Sequence, residues 1–331
     1  MALERVQLSV ADARELAEGA LRGIGYDNEE ARIVADHAID AALCGYEYSG
    51  LPKILNLPES ANFKLPRRPI KLLRETEISA AFDGGNNVGM LALFHAAEAT
   101  IRKASAHGMA LVSVNDAWMS GRSAYYVEMI AKAGLVAIHT AASSRLVAPP
   151  GGIEAVLGTN PIAIAIPSSR GPIVLDIGTS AFMMTEVLLR ERLGEPLPEG
   201  VAIGPGGEPT TDAALARRGA LLPFGGYKGF GLALMVQALG VLAGSGSEHP
   251  NDYGYLFIAF RPDLIGPVDV FERRVTELIE RVKATPRQAG VDDIRIPSER
   301  AFRARERALR EGIEIDRRVF DALVALRGGQ A

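Results

Sequence analysis

Residues 157–180 read LGTNPIAIAIPSSRGPIVLDIGTS. The two apolar runs inside this stretch, 162–166 and 173–176, are rich in β-branched residues and bounded by Gly and Pro, which predicts two short strands. Working outward, 78–82 and 109–115 read as strands with an alanine-rich helix over about 90–106 between them. A helix around 124–132 leads into a strand at 135–140, and 256–260 is a further strand candidate. Strands alternating with helices argue for an α/β core.

The flanks have a different texture. Ser9 can cap a first helix, in which Leu16, Ala17, Ala20, Leu21 and Ile24 repeat at helical spacing before Gly25. Asp27 or Asn28 can cap a second helix, whose stripe ends before Gly45. Together they make a helical hairpin. Residues 45–69 read as mostly loop, 193–222 as a long exposed loop rich in Gly, Pro and Thr, and the last sixty residues as charged helices, among them 268–282 and 298–311.

The chain has 331 residues, 48% hydrophobic and 23% charged, with a formal net charge of −4. That composition fits a folded globular protein and excludes a disordered or fibrous chain. A mildly acidic chain without a basic block offers no footprint for nucleic acid or an anionic membrane. No apolar run is long enough to span a bilayer, and the first twenty residues lack the pattern of a signal peptide. Cys44 is the only cysteine, so a cytoplasmic setting is the expectation.

Two places could carry chemistry. In FGGYKGFG, residues 224–231, glycines allow tight turns and a helix follows, so its N-terminus and Lys228 favour a phosphate or carboxylate. The competing reading is a plain Gly-rich start to a helix. The spacing matches neither a Walker A loop nor a dinucleotide fingerprint. In the second place, Asp176 stands at the carboxyl end of a strand, where ligands gather in α/β sheets. There Thr179 or Ser180 could equally well be a simple helix cap.

Other features favour ordinary roles. His37 and His95 lie within helices, His107 lies beside a helix-ending Gly, and His249 lies in a loop. His139 sits in a strand near Ser143 and could approach a site. No histidine pair has zinc-ligand spacing, so no metal is expected. Serine lacks the G-x-S-x-G elbow, and Met183–Met184 reads as core.

The succession of VAPPGG, LGTNPIAIAIP, IVLDIGTS, LPEG…GEPTTD and LLPFGGYKGFGLAL resembles the type-2 malate/L-lactate dehydrogenase family, also called sulfolactate dehydrogenase-like. Its relatives include ureidoglycolate dehydrogenase, diketogulonate reductase and piperideine/pyrroline-2-carboxylate reductase. The resemblance implies a non-Rossmann, mixed-sheet α/β cofactor domain over 76–295, with a helical N-terminal segment, 1–75, packing against C-terminal helices, 296–331. It also implies NAD or NADP as cofactor, a small carboxylate substrate (2-oxo, 2-hydroxy or cyclic 2-imino) and a homodimer. Carried over by motif, Ser143, Thr159, Asn160, Pro161, Asp176, Ile177, Gly178, Gly226 and Lys228 would line the cofactor and reacting centre.

The chain departs from the family where protons are handled. The family's Ser-His-Gly followed by Arg becomes Tyr48-Ser49-Gly50 and then Lys53, and its second histidine falls on Met119. Thr185-Glu186 replaces a Gly-Lys pair, and Gln237 replaces a frequent Glu. Met119 cannot transfer a proton, Ser49 is a poor acid, and Lys53 keeps a charge for a carboxylate but lacks the fork of Arg. The substrate site is expected among Tyr48, Ser49, Lys53 and Met119, with Asp176, Lys228 and Tyr48 as catalytic candidates. Three readings follow. One is reduction of a substrate that arrives protonated, such as a cyclic iminium carboxylate, with Asp176 and Lys228 providing electrostatics. The second is a 2-oxo acid reductase with Tyr48 or Lys228 as acid, Tyr48 having a lowered pKa. The third is a degenerate member that binds cofactor or a partner without turnover.

Overall fold

The computed structural model describes residues 4–246 and 253–329. The chain opens with strand β1 (Arg5–Leu8), followed by helices α1 (Val10–Gly23), α2 (Asn28–Leu43) and α3 (Pro52–Glu59). Ser9 caps α1 by accepting from the Asp12 N–H, and Asp27 with Glu30 forms a reciprocal capping box on α2. The helical hairpin is therefore set by its own sequence. Residues 45–69 are not mostly loop: α3 starts with Pro52 and buries Ile54 and Leu57, with Leu51 buried just before it.

Strand β2 (Lys71–Glu75) then pairs with β3 (Ser79–Val88), and helix α4 (Gly89–His107) crosses over to β4 (Met109–Trp118). Helix α5 (Ser123–Lys132) follows, then β5 (Val136–Ala142), β6 (Ile162–Ile166) and β7 (Ile173–Ile177). A second block holds α6 (Met184–Leu193), β8 (Ala202–Ile203), α7 (Ala213–Arg218), β9 (Ala220–Leu221), α8 (Tyr227–Leu242) and β10 (Gly254–Phe260). The chain finishes with α9 (Val268–Lys283), α10 (Glu299–Glu311), β11 (Ile313–Asp316) and α11 (Arg317–Arg327).

The central sheet is mixed, in the order β2-β3-β4-β10-β5-β6-β7. Only β3 and β4 run parallel, joined by α4, and every other neighbouring pair is antiparallel. This is a mixed α/β fold, as expected. Helix α4 packs on β4 and β10, and α5 packs on β5, β6 and β7. The alanines along α4 and β5 let helix and sheet approach closely, and one apolar cluster around Val112, Tyr126, Ile130 and Phe257 fills the space.

A second apolar cluster joins α1, α2 and α3 to β11 and α11. Strand β1 pairs antiparallel with β11, from Arg5 opposite Asp316 to Leu8 opposite Ile313, so the two ends of the chain share one ribbon. A third cluster corrects the expectation for 193–222. That stretch holds β8, α7 and β9, and buries Leu197, Ala202, Ala216 and Leu221 against Val147 and Ala233. Its Gly and Pro residues turn the chain between these short elements; they do not leave it in solvent.

Candidate active site

Asp176 does not stand before a helix of its own. Helix α6 starts only at Met184, and neither Thr179 nor Ser180 caps it. Thr179 donates to the Thr159 carbonyl at 3.0 Å and Ser180 to the Phe182 carbonyl at 2.6 Å. The Asp176 carboxylate instead accepts the Ala124 N–H at 2.7 Å, in the first turn of α5. A carboxylate from β7 thus occupies the positive end of a helix three strands away in sequence. Burial pushes the Asp176 carboxyl up, against the opposing pull of the Ala124 N–H, the Arg122 guanidinium and the Ser123 N–H.

Asp176 lines a cavity of about 90 Å³ with Tyr46, Tyr48, Ser49, Arg122, Pro161 and Met183. Gly178 also lines it, and a Cβ there would lie 2.7 Å from the Met183 sulfur. Met183 is thus a wall of this cavity, not simple core. Three larger clefts among the described residues, of about 160, 490 and 580 Å³, contain none of the expected site residues.

Tyr48 lines the cavity, but its hydroxyl is shifted in the direction opposite to the one expected. Burial first, then Glu186, Tyr46 and Asp176, push its hydroxyl up, against Arg300. The activating condition, a lowered pKa, is not met. Ser49 is 7% exposed and lines the same cavity. Met119 does not line it; with φ of 59° it packs against the N-terminal apolar cluster. Lys53 also misses the lining. It is buried in α3 beside His37, and burial brings its amine down to about 8.

Arg122, which the sequence reading passed over, takes a place in the lining. Its side chain is 5% exposed, its Nη1 donates to Asp40 at 2.7 Å, and its backbone N–H donates to His37 Nε2 at 2.7 Å. Burial works against its charge, but Cys44, Asp40, Asp176 and Tyr46 more than offset that, so its pKa is raised. His37 is packing, as expected, yet it does more than fill space. A Cβ on Gly121, whose φ is 79°, would lie 2.1 Å from His37 Nε2, so glycine is needed there. His139 is core: Nδ1 lies 3.1 Å from the Leu256 carbonyl, the ring stacks on Phe257 at 4.2 Å, and burial lowers it to about 4. His249 lies outside the described residues.

The expected cofactor residues form a framework beside this cavity. Asn160, with φ of 34°, is fully buried. It accepts from the Ser143 N–H and donates to the Ala233 carbonyl and to Gln237 Oε1. Its side chain is spent inside the protein, tying the end of β5 to α8, so direct side-chain contact with a cofactor is not available to it. The Thr159 N–H donates to Ser143 Oγ at 3.1 Å. Ile177 pairs with Ile162 across β6 and β7.

The Gly-rich run is stitched to the Asp176 turn. Phe224 N–H donates to the Thr179 carbonyl at 3.1 Å, and Pro223 bridges Ser180. Gly225 and Gly226 have φ of 55° and 62°, with open space where a Cβ would be. They turn the chain into α8, and Lys228 beside them is exposed and makes no ion pair among the described residues. Its N–H and that of Gly229 are already bonded to the Gly225 and Phe224 carbonyls. An exposed glycine cradle with an unpaired ammonium fits an anionic group such as a cofactor phosphate. Lys228 does not line the cavity at Asp176.

Comparison with known proteins identifies the family. The malate/L-lactate dehydrogenase family model matches residues 8–324. L-sulfolactate dehydrogenase of Methanothermobacter thermautotrophicus is 32% identical, over 97% of this chain and 96% of that protein. Delta(1)-pyrroline-2-carboxylate reductase of Ancylobacter novellus is 34% identical, over 98% of each. The structure of sulfolactate dehydrogenase from Methanocaldococcus jannaschii superposes with a TM-score of 0.84 at 31% identity, covering 98% of this chain and 97% of that one. The chain therefore belongs to the malate/L-lactate dehydrogenase family and is an oxidoreductase of the group that handles small hydroxy, oxo or cyclic imino carboxylates.

Proposed function

We propose that this protein reduces a cyclic 2-imino carboxylate, of the pyrroline- or piperideine-2-carboxylate type, with NADH or NADPH. One observation carries the choice within the family: the hydroxyl of Tyr48, which lines the cavity with Asp176, is pushed up and not down. Reducing a ketone leaves an alkoxide that needs a proton donor, whereas a protonated imine already carries its proton.

When bound, the reduced nicotinamide supplies a hydride. The glycines at 225–226 and Lys228 would hold its phosphates, and Ser143, Thr159, Ile177 and Gly178 would flank it. Asp176, fixed by the first turn of α5, faces the iminium nitrogen with a negative charge. The C=N electron pair moves onto nitrogen as hydride reaches the adjacent carbon, and the nitrogen keeps its proton. Asp176 thus stabilises the cation bound in the cavity without transferring a proton.

A second reading has its own support. Burial pushes the Asp176 carboxyl up, which would let it protonate the alkoxide from a 2-oxo acid. The discriminating experiment follows absorbance at 340 nm with NADH and NADPH against a panel of cyclic imino acids and 2-oxo acids. Turnover of imino acids alone is expected. Turnover of 2-oxo acids alone overturns the proposal in favour of the Asp176 acid. Tight cofactor binding with no turnover overturns it in favour of a degenerate, binding-only member.

The proposal includes a cytoplasmic homodimer, and a division of the chain into a helical unit (1–75 with 296–331) and an α/β unit (76–295). The separate apolar clusters of the N-terminal helices and of the sheet support the division. The dimer is supported by α8, whose Leu234, Met235, Val241 and Leu242 stand exposed on a helix that is apolar almost throughout.

A further inference from the structure

We propose that Arg122 binds the substrate carboxylate, a task the sequence assigns to a cation at position 53. The inference rests on the cavity at Asp176 being the substrate site, and holds for imino and oxo acids alike because both carry the carboxylate.

Four observations converge. First, Arg122 lines the cavity with Asp176, whereas Lys53 does not. Second, the Arg122 side chain is 5% exposed and its Nη2 is buried without any hydrogen-bond partner. A buried guanidinium nitrogen left unpaired is costly, and a carboxylate oxygen is its natural complement. Third, the residue is held in place from both ends. Nη1 is tied to Asp40, the backbone N–H to His37, and the guanidinium carbon lies 5.3 Å from the centre of the Tyr46 ring. Such anchoring fixes the plane of the fork before a ligand arrives.

Fourth, the local charges leave room for an anion. Asp40 is shared between Arg122 and Arg305, Arg305 grips Glu128 at 2.6 and 2.7 Å, and Lys132 also pairs with Glu128. With Asp176 counted, three carboxylates stand against these three cations. Arg300, on α10, adds a further guanidinium 5.2 Å from the centre of the Tyr46 ring. A zwitterion fits this arrangement, its cationic nitrogen toward Asp176 and its carboxylate toward Arg122.

The test is a charge-selective binding measurement. Titration calorimetry with pyrrole-2-carboxylate, a planar analogue of the imino acid, is compared with the neutral pyrrole-2-carboxamide, with and without NADH. Oxamate, the analogue of a 2-oxo acid, is run in parallel, so that failure of the imine reading and failure of Arg122 are told apart. Wild-type protein is expected to prefer carboxylate to carboxamide by about tenfold or more, equivalent to about 1.4 kcal/mol. Arg122→Gln should erase that preference, and Lys53→Met should leave it in place. If Arg122→Gln does not fold, Arg122→Lys carries the test: the carboxylates should weaken about fivefold with the carboxamide unchanged, because the charge stays and the fork is lost. A preference that survives in Arg122→Gln, an unchanged ratio in Arg122→Lys, a preference lost in Lys53→Met, or wild-type protein without any preference overturns the inference.

Discussion

The carboxylate of Asp176, on β7, accepts the backbone N–H of Ala124 at 2.7 Å and so fixes the first turn of α5 to the edge of the sheet. The proposed chemistry gives the residue a second, separable job, electrostatic, through its charge. Asp176→Asn keeps an acceptor and removes the charge, and Asp176→Ala removes both. The expected outcome is a loss of about 100-fold or more in kcat/KM for both variants. Only Asp176→Ala should lose more than about 1 kcal/mol of stability. Steady-state rates and urea melts of the two variants check this.

Tyr48→Phe removes the hydroxyl that burial and three acidic or phenolic neighbours hold in its protonated form. A proton-donating group contributes about 100-fold or more to rate. The expected loss in imine reduction is less than about tenfold, with the pH profile unshifted. A larger loss with a displaced alkaline limb would place Tyr48 in the proton path.

His37 and His139 are both buried with pKa values held below the ordinary 6.5, well below for His37 and at about 4 for His139, in each case chiefly by burial. The unfolded chain takes up their protons near pH 6.5 while the folded chain resists, so their contribution to stability is complete above that pH. It is lost as pH falls from about 6.5 toward 4, at about 1.4 kcal/mol per pH unit for each group. Urea melts across this window should show the decline, and His139→Phe should make it shallower by one proton's worth.

Asn160 makes three hydrogen bonds that join the end of β5 to α8. Asn160→Ala should cost about 2 kcal/mol by stranding buried partners. Gln237→Glu still presents an acceptor to Asn160 and should keep the protein folded with unchanged affinity for NADH. Thermal melts and cofactor titration distinguish the two variants.

Leu242 is 69% exposed near the end of α8. If a second copy covers this face, Met235→Glu with Leu242→Glu should shift the protein to monomer in sedimentation velocity without lowering its helix content. An unchanged sedimentation coefficient in a dimeric wild type would place the interface elsewhere.

Local signals in the chain were enough for the elements whose formation depends on near neighbours. Ser9 and Asp27 announce their helices because a cap is a contact over three residues, and strand β6 is readable because an apolar β-branched run between prolines has few alternatives. Residues 193–222 misled because short elements buried by distant neighbours carry no periodicity of their own. The motifs at Asp176 and in the Gly-rich run pointed to the family, since backbone turns and strand ends are written in consecutive residues. What faces what across the cavity was decided only by tertiary contacts. Asp176 meets a helix 52 residues earlier in sequence, Arg122 meets Asp40 82 residues earlier, and Lys53 turns into the protein beside His37. Such pairings depend on how a sheet edge, a helix start and a loop come to share one desolvated volume, and no spacing along the chain encodes that.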